Sequence, residues 1–577
     1  MTRYIPLARL LIMVSLLITG VVLQTQAENS FYIQPYLQNV TQTGITIQWW
    51  TDQSEPSSQV EYGLDFQNVT PASDEWIPVV GKVRHRAVLS GLEPETPYRY
   101  RVRSGTLVSP EYTFHTAVRR SSGFHVVMFG DGRTDDDVIR RHRGITRLAW
   151  AQHPDLAFHG GDGVYSGDSL HWDRFWRRIA TASDPDDPGL PFASQIPYYL
   201  VVGNHEIYSR DSTLKVGYDA GNLTSTMARF QAYVDTPPNG THNPDWEKRY
   251  YAFNYGVATF IVLDTNNTSD DSLDNHIYLP DGSTPDWEPG SEQYEWLIRR
   301  LKTARDSSAF TLVLMHPSPY CRGVHGDPNE SQSGGPIRAL DPVFRQYGVD
   351  AVLTSHDHLV ERCLTGPLGY EQAMDETDPA NLNYVVMGNS GQSARDAQEG
   401  WATWMDITGN DGPPYYTQYF YDWAGTDHVS FVDISIDPLG HGQWKAHFQI
   451  IRDDGEIFDP FSLERTDPLF SEPTDIERPE SQGTPQGMRL RQNRPNPFNS
   501  RTWVEFALME ASGVSLKVYD LLGRRVQTLF EGGLSPGNHS TFWDGKDYTG
   551  ATVASGPYVC VMTIGAHQLK RTMMLMR

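Results

Sequence analysis

Five apolar, β-prone runs each end in side chains that bind metal ions. They are HVVMFGD ending at Asp131, DLAFHGGD ending at Asp162, YYLVVGNHE containing Asn204, TLVLMHP containing His316, and DAVLTSHDH containing His356 and His358. Buried strands that end in loops bearing carboxylate, amide and imidazole groups are how an α/β layered fold gathers ligands at one edge of its sheet. This mixture of oxygen and nitrogen donors suits borderline divalent or trivalent ions. A carboxylate shared by two such ions, roughly 3.5–4 Å apart, permits activation of water and neutralisation of a phosphoryl group. Taken singly, Gly-Asp and His-x-His pairs are ordinary turn and capping chemistry. Five of them in this order over about 230 residues form an ensemble that separate turns do not account for.

The order of these motifs resembles that of the calcineurin-like metallophosphoesterases, over roughly residues 122 to 452. An ordinary member of that family has a histidine two residues after the first aspartate, where this chain has Arg133. The second motif, Gly161-Asp162-Gly163-Val164-Tyr165, instead places a tyrosine three residues after its aspartate. That arrangement resembles the purple acid phosphatase branch, in which the phenolate binds Fe(III). His325, nine residues after His316 in HPSPYCRGVH, matches the same branch, as does the continuation of His356-Asp357-His358 to Glu361-Arg362. Arg133 and Ser355 depart from it, standing where the branch usually has glycine.

Carried over position by position, the resemblance implies that Asp131, Asp162, Tyr165 and His358 hold a first metal, iron, as Fe(III). Asp162, Asn204, His316 and His356 then hold a second, for which zinc, manganese or Fe(II) all fit. Tyr165 also reads as an aromatic wall residue at a strand end. His205 and His325 are expected to face the phosphate, stabilising its oxygens and giving a proton to the leaving alkoxide. The competing reading of His325 is a solvent-exposed loop residue. Arg133 either forks onto a phosphate or forms a structural pair with Asp135, Asp136 or Asp137.

These motifs sit within a chain of 577 residues, more than one core usually organises. Arg3 and Arg9, the apolar run Leu10 to Leu23 and Thr25-Gln26-Ala27 read as a signal peptide over 1–27, the apolar stretch being short for a membrane span. Residues 28–118 alternate as a β-sandwich does, in Ile45-Thr46-Ile47-Gln48-Trp49 and again at Tyr98, Tyr100 and Val102. The stretch from Leu92 to Tyr100 resembles the tyrosine corner of fibronectin type III-like modules, and purple acid phosphatase-like enzymes often carry such a domain before the catalytic one, here expected over 119–452. Its expected role is passive packing. Residues 453–487, with Pro460, Pro468, Pro473, Pro479 and Pro485, read as an acidic linker. In 488–577, Asp520-Leu521-Leu522-Gly523-Arg524, Trp543-Asp544-Gly545 and Ala554-Ser555-Gly556-Pro557-Tyr558 resemble the immunoglobulin-like C-terminal sorting domains of the type nine secretion system, with a glycan-binding tail as the minor reading. That resemblance implies a bacterial protein exported through the periplasm to the cell surface or medium.

A formal charge of −24 argues against broad binding to a nucleic-acid backbone, while leaving small phosphate esters open. Three cysteines make no disulfide framework, although Cys321 and Cys363 each follow a ligand histidine by five residues, so a bridge between them and two free thiols are both open. The aromatic segment 401–423 reads either as a loop folded on its own side chains or as the wall of a cleft. Together these features lead to the expectation of a multidomain α/β protein: a fibronectin-like sandwich, a four-layer α/β/β/α metallophosphoesterase domain and an immunoglobulin-like tail. The implied function is secreted metal-dependent phosphoric-ester hydrolysis by a metal-bound hydroxide, monoesters first and diesters or nucleotides second. The rival from another class is a non-catalytic surface-binding protein built on a hydrolase fold.

Overall fold

The computed structural model describes residues 30–134, 136–180, 190–209, 220–266, 285–321, 323, 325, 334–366, 381–392, 404–406, 416–423, 428–470 and most of 488–575. The predicted signal peptide lies outside them. Two compact units divide the chain, Met1–Glu472 and Pro473–Arg577.

The first unit opens with nine strands: β1 (Phe31–Thr41), β2 (Gly44–Thr51), β3 (Ser58–Tyr62), β4 (Asn68–Pro71), β5 (Ser73–Ile77), β6 (Lys82–Ser90), β7 (Pro97–Ser104), β8 (Leu107–Val108) and β9 (Tyr112–His115). They form two sheets, β1-β2-β6-β5 and β4-β3-β7-β8, with β9 also paired to β7. Ile45, Ile47 and Trp49 from one sheet meet Tyr100 and Val102 from the other, so the alternation visible in the sequence is the inward face. The Tyr98 hydroxyl accepts a hydrogen bond from the Glu93 amide at 2.9 Å, the bond that defines a tyrosine corner.

A six-stranded sheet follows, ordered β12 (Tyr198–Leu200), β11 (Leu156–His159), β10 (Phe124–Phe129), β21 (Ser430–Gly440), β22 (Gln443–Arg452) and β23 (Ile457–Thr466). A second sheet runs β13 (Tyr251–Tyr255), β14 (Ala258–Val262), β15 (Phe310–Leu314), β16 (Ala351–Thr354), β18 (Leu382–Met387), β17 (Val360–Gly366), β20 (Tyr416–Trp423) and β19 (Trp404–Asp406). Each central strand is apolar on both faces because both are covered. Val126 and Met128 of β10 join Phe260, Leu312, Leu314, Leu353 and Val385 in a core between the sheets. Val127 and Phe129 point the other way, toward Ile145 of α1 (Asp136–Ala151), Trp172 and Trp176 of α2 (Ser169–Ala180) and Phe230 of α4 (Ala220–Tyr233). Ile261, Val313 and Val352 likewise leave the inner core for Trp296 and Leu301 of α5 (Glu292–Ser307) and Phe344 of α6 (Asp341–Gln346). The layers are therefore helix, sheet, sheet, helix.

The sandwich buttresses the helical layer. The Tyr36 and Trp176 rings stack with centroids 4.0 Å apart. The Tyr36 hydroxyl donates to the Tyr233 carbonyl at 2.9 Å and accepts from Trp50 Nε1 at 3.0 Å.

One expectation is corrected. The predicted linker 453–487 does not begin at 453, because residues 457–466 form β23 and pair with β22. Pro460 is tolerated there because β23 is an edge strand and its register shifts beside Asp459, which has a φ of 42°. A proline lacking its ladder donor fits an edge bulge. Of the aromatic segment 401–423, the backbone of β19 and β20 pairs antiparallel, and its side chains lie outside the described residues.

The second unit contains two antiparallel sheets, β24 (Met488–Leu490), β25 (Thr502–Leu508) and β28 (Gly537–Trp543), and β27 (Arg525–Leu534), β26 (Ser512–Tyr519), β29 (Gly556–Ile564) and β30 (His567–Leu575). They enclose their own core of Val504, Phe506, Leu516, Val518, Trp543 and Cys560.

Candidate metal centre

β10, β11 and β12 are mutually parallel, as are β14, β15, β16 and β18, so the carboxyl ends of each set share one edge. The predicted ligands lie in the loops that leave that edge. Asp131 follows β10, Asp162 follows β11, Asn204 opens the short helix α3 (Asn204–Ile207), His316 follows β15, and His356 and His358 follow β16. All six are at least 96 % buried.

Asp162 is the hub. Its Oδ1 lies 3.2 Å from His316 Nε2 and accepts from the His205 amide at 2.9 Å. Its Oδ2 accepts from Arg133 Nη2 at 3.2 Å and lies 3.7 Å from His205 Nε2. His316 Nε2 is 3.0 Å from Asn204 Oδ1 and 3.2 Å from His356 Nδ1. Asp131 Oδ2 accepts from the His356 amide at 2.8 Å, and its Oδ1 lies 3.5 Å from His358 Nε2. Five chain segments thus converge on two carboxylates.

The donor set fits metal ions on three counts. Asp162, His316 and His356 each offer a ligand atom, and these atoms lie within 4.8 Å of one another. Asp131 Oδ1 is buried with no hydrogen-bond partner among the described residues. His316 Nδ1 contacts the Gly160 carbonyl at 2.8 Å, and since a carbonyl only accepts, Nδ1 carries a proton and Nε2, which faces the carboxylate, is the nitrogen left for a metal ion. An outer hydrogen bond that fixes the tautomer in this way is what ligating histidines use. That approach needs Gly161, whose φ is +98° and where an added Cβ would stand 2.4 Å from His316 Nδ1.

The electrostatics show how much charge is compressed here. Burial and then the neighbouring Asp162 push the Asp131 carboxyl well above its usual range. Burial would raise Asp162 too, but His205, His316 and Arg133 outweigh it and hold that carboxyl low. His316 shows the converse: burial lowers it, and the two aspartates raise it to about 9. Two acids so close cannot both ionise without positive charge between or beside them.

His205 is brought to the hub with its Nδ1 held by the Tyr165 carbonyl at 2.7 Å, which leaves Nε2 facing Asp162. Burial and Arg133 lower its pKa to about 4. His325, expected either in the site or in solvent, is buried with its ring 4.2 Å from that of His356. The Tyr165 ring lies 5.6 Å from that of His205. Arg133 Nη2 turns onto Asp162 Oδ2, and the side chains of Asp135, Asp136 and Asp137, its other expected partners, lie outside the described residues. Cys321 and Cys363 are free thiols, and Cys321 donates to Asp357 Oδ2 at 3.2 Å.

Glu206 is a residue that motif reading passed over. Its buried carboxylate accepts from the amides of Gly203 at 2.7 Å, Asp162 at 2.9 Å and Gly163 at 3.0 Å, tying the second and third ligand loops together. Its position three after Gly203 is capping-box spacing, the signal that marks it.

Comparison with known proteins agrees with this geometry. Residues 134–360 match the calcineurin-like phosphoesterase family, residues 32–116 match the purple acid phosphatase N-terminal domain, and residues 499–566 match the FlgD Ig-like domain. Acid phosphatase type 7 of Danio rerio is 26% identical over 368 residues, covering 59% of this chain and 71% of that one. A protein of Arabidopsis thaliana named probable inactive purple acid phosphatase 1 is 26% identical over 386 residues, covering 60% of this chain. The chain spans 57% of that relative's length. The solved purple acid phosphatase from yellow lupin seeds superposes with a TM-score of 0.55 at 21% identity, covering 78% of each chain. The molecule therefore has a metallophosphoesterase fold preceded by a β-sandwich domain of the purple acid phosphatase type, and that fold implies a dinuclear metal site.

Proposed function

We propose that this chain is a dinuclear-metal phosphoric-ester hydrolase of the purple acid phosphatase type, acting first on phosphomonoesters. The observation that carries the reading is the convergence of Asn204, His316, His356 and His358 on the two carboxylates of Asp131 and Asp162. Asp131, Asp162, Tyr165 and His358 are the proposed holders of an Fe(III) ion, and Asp162, Asn204, His316 and His356 those of Zn, Mn or Fe(II). Bound there, the two ions supply an activated water and neutralise the phosphoryl oxygens.

The chain's own residues do the rest. Asp162, braced through its loop by Glu206, fixes the spacing of the two ligand sets. His205, whose Nδ1–H donates to the Tyr165 carbonyl, turns Nε2 toward the hub, where that nitrogen would take up a proton and hand it to the leaving oxygen. His325, packed on His356, lines the same side, and Arg133 adds fixed positive charge where a phosphoryl group would sit.

Around this core we propose a fibronectin type III-like fold for the N-terminal sandwich and a sorting role for the immunoglobulin-like tail, with export led by residues 1–27. No helix among the described residues is long and apolar enough to cross a membrane. Relatives named as inactive keep the non-catalytic surface-binding reading in view. Metal analysis of the purified protein with a panel of phosphate mono- and diesters separates the two. The expected result is two ions per chain, faster monoester than diester hydrolysis, and an Asp162→Asn variant that loses both metal and turnover while staying folded. Wild-type turnover in that variant would end the two-metal reading, and a wild type without metal or hydrolysis would favour a binding protein.

A further inference from the structure

We infer that Arg178 is a positioning residue whose guanidinium ties the Asp131 loop to the Asp162 loop and thereby sets the separation of the two carboxylates. The inference rests on the dinuclear reading above and names a group outside every ligand motif. Arg178 projects from α2 and is 98 % buried. Its Nη1 donates to the carbonyls of Gly132 at 2.6 Å and Arg133 at 2.7 Å, and its Nη2 donates to the Gly163 carbonyl at 3.2 Å. The first two acceptors flank Asp131 on its C-terminal side, and the third directly follows Asp162. One rigid fork therefore holds both loops.

Those loops need holding. Asp131 and Asp162 have φ values of 45° and 53°, a backbone region that residues with a Cβ seldom occupy unless their surroundings enforce it. Beside the fork, the Asp131 amide reaches the Gly161 carbonyl at 3.3 Å and the Arg133 amide the Asp162 carbonyl at 3.1 Å. Arg133 Nη2 reaches the Asp162 carboxylate at 3.2 Å and the Tyr165 amide the Thr134 hydroxyl at 3.1 Å, each of these four a tie through one donor. Glu206 binds amides of the Asp162 loop but none of the Asp131 loop, so it cannot set the distance between them.

The floor beneath the first loop is equally closed. A Cβ on Gly132 would stand 2.8 Å from His159 Nε2 and 2.9 Å from His142 Nδ1. The loop is thus pressed between two imidazoles below and the arginine fork at its side. Arginine suits the task because its planar donors reach several carbonyls at once, which a lysine ammonium cannot reproduce. The fork is itself anchored: its stem leaves a helix whose Trp176 stacks on Tyr36, while Arg177 Nε donates to the Tyr32 carbonyl at 3.0 Å. The N-terminal sandwich in this way packs directly on the helix that carries the fork.

Arg178→Met and Arg178→Lys test this in the full chain through three readouts. The first is hydrogen exchange of segments 130–134 and 160–166, the second is Mn(II) titration of metal-stripped protein, and the third is kcat and KM for phenyl phosphate. In Arg178→Met, exchange should quicken in both segments, with Mn(II) affinity and kcat each falling roughly tenfold or more, as for other outer partners of metal ligands, and KM little changed. Arg178→Lys should fall between wild type and Arg178→Met on each measure. Unchanged exchange in Arg178→Met would overturn the inference, as would faster exchange with wild-type metal affinity and kcat. If Arg178→Met does not fold, the lysine variant decides: intermediate values support the fork, and values equal to wild type overturn it. A wild type that neither binds Mn(II) nor hydrolyses the ester, in a protein where Arg178→Met still frees both loops, would uphold the tie and remove the phosphoesterase reading.

Discussion

The Asp162 carboxylate faces two imidazoles and a guanidinium at once, and this concentration of unlike partners sets the character of its neighbours. Ser355 illustrates how such a site absorbs a departure. Its hydroxyl oxygen lies 2.1 Å from where a Cβ on Gly130 would stand and 2.2 Å from the same point on Gly160, so two glycines make room for its side chain. Motif spacing located Asp131, Asp162, Asn204, His316, His356 and His358 because ligands at strand ends leave a trace in the linear order. The partner of Arg133 left no such trace, since it is set by distance in space across two loops. Tyr165 gives the sharpest prediction at this scale. Its ring borders His205, at the position proposed for the phenolate ligand. The oxidised iron form should be coloured, and Tyr165→Phe should abolish the visible charge-transfer band. A colourless protein, fully active with zinc or manganese alone, would refute that assignment.

α2 links the sandwich to the site, and its own chemistry makes stability depend on pH. Burial raises the Asp173 carboxyl to about 7, even though it accepts a hydrogen bond from the Tyr233 hydroxyl at 2.8 Å. The folded state therefore binds this proton more tightly than the unfolded chain does. Its stabilising contribution is complete below about pH 4 and is lost as pH rises through about 7. Asp173→Asn keeps an acceptor for Tyr233 and removes the buried charge. Its melting temperature should exceed that of wild type at pH 8, by an amount equivalent to ~4 kcal/mol, and match it near pH 4. A constant difference across that range would exclude Asp173 as the titrating group. At the same scale, the strands were legible where both faces are buried, because unbroken apolar runs such as Val126–Phe129 mark a covered sheet. β23 was not, because Pro460 reads as a breaker in sequence, and only its place at a sheet edge makes it admissible.

At the scale of the whole molecule, the two units have separate cores, and every proposed ligand belongs to the first. A chain ending at Glu472 should retain wild-type kcat and metal content after purification. In the native host the same truncation should collect in the periplasm, as a sorting role for the tail requires. Loss of activity in the purified truncated protein would show that the tail supports the site, and normal delivery would dismiss the sorting role. By itself, the sequence determined the candidate donor types, their order on strand ends and the layered fold that presents them, because buried strands and strand-end donors are local patterns along the chain. Only the tertiary structure decided that Arg133 turns onto Asp162, that Glu206 and Arg178 brace the ligand loops, and that the sandwich packs on the helix that carries the brace. The Glu206 and Arg178 contacts reach backbone amides and carbonyls, which no side-chain pattern records, and the other two pair side chains that only the folded chain brings together.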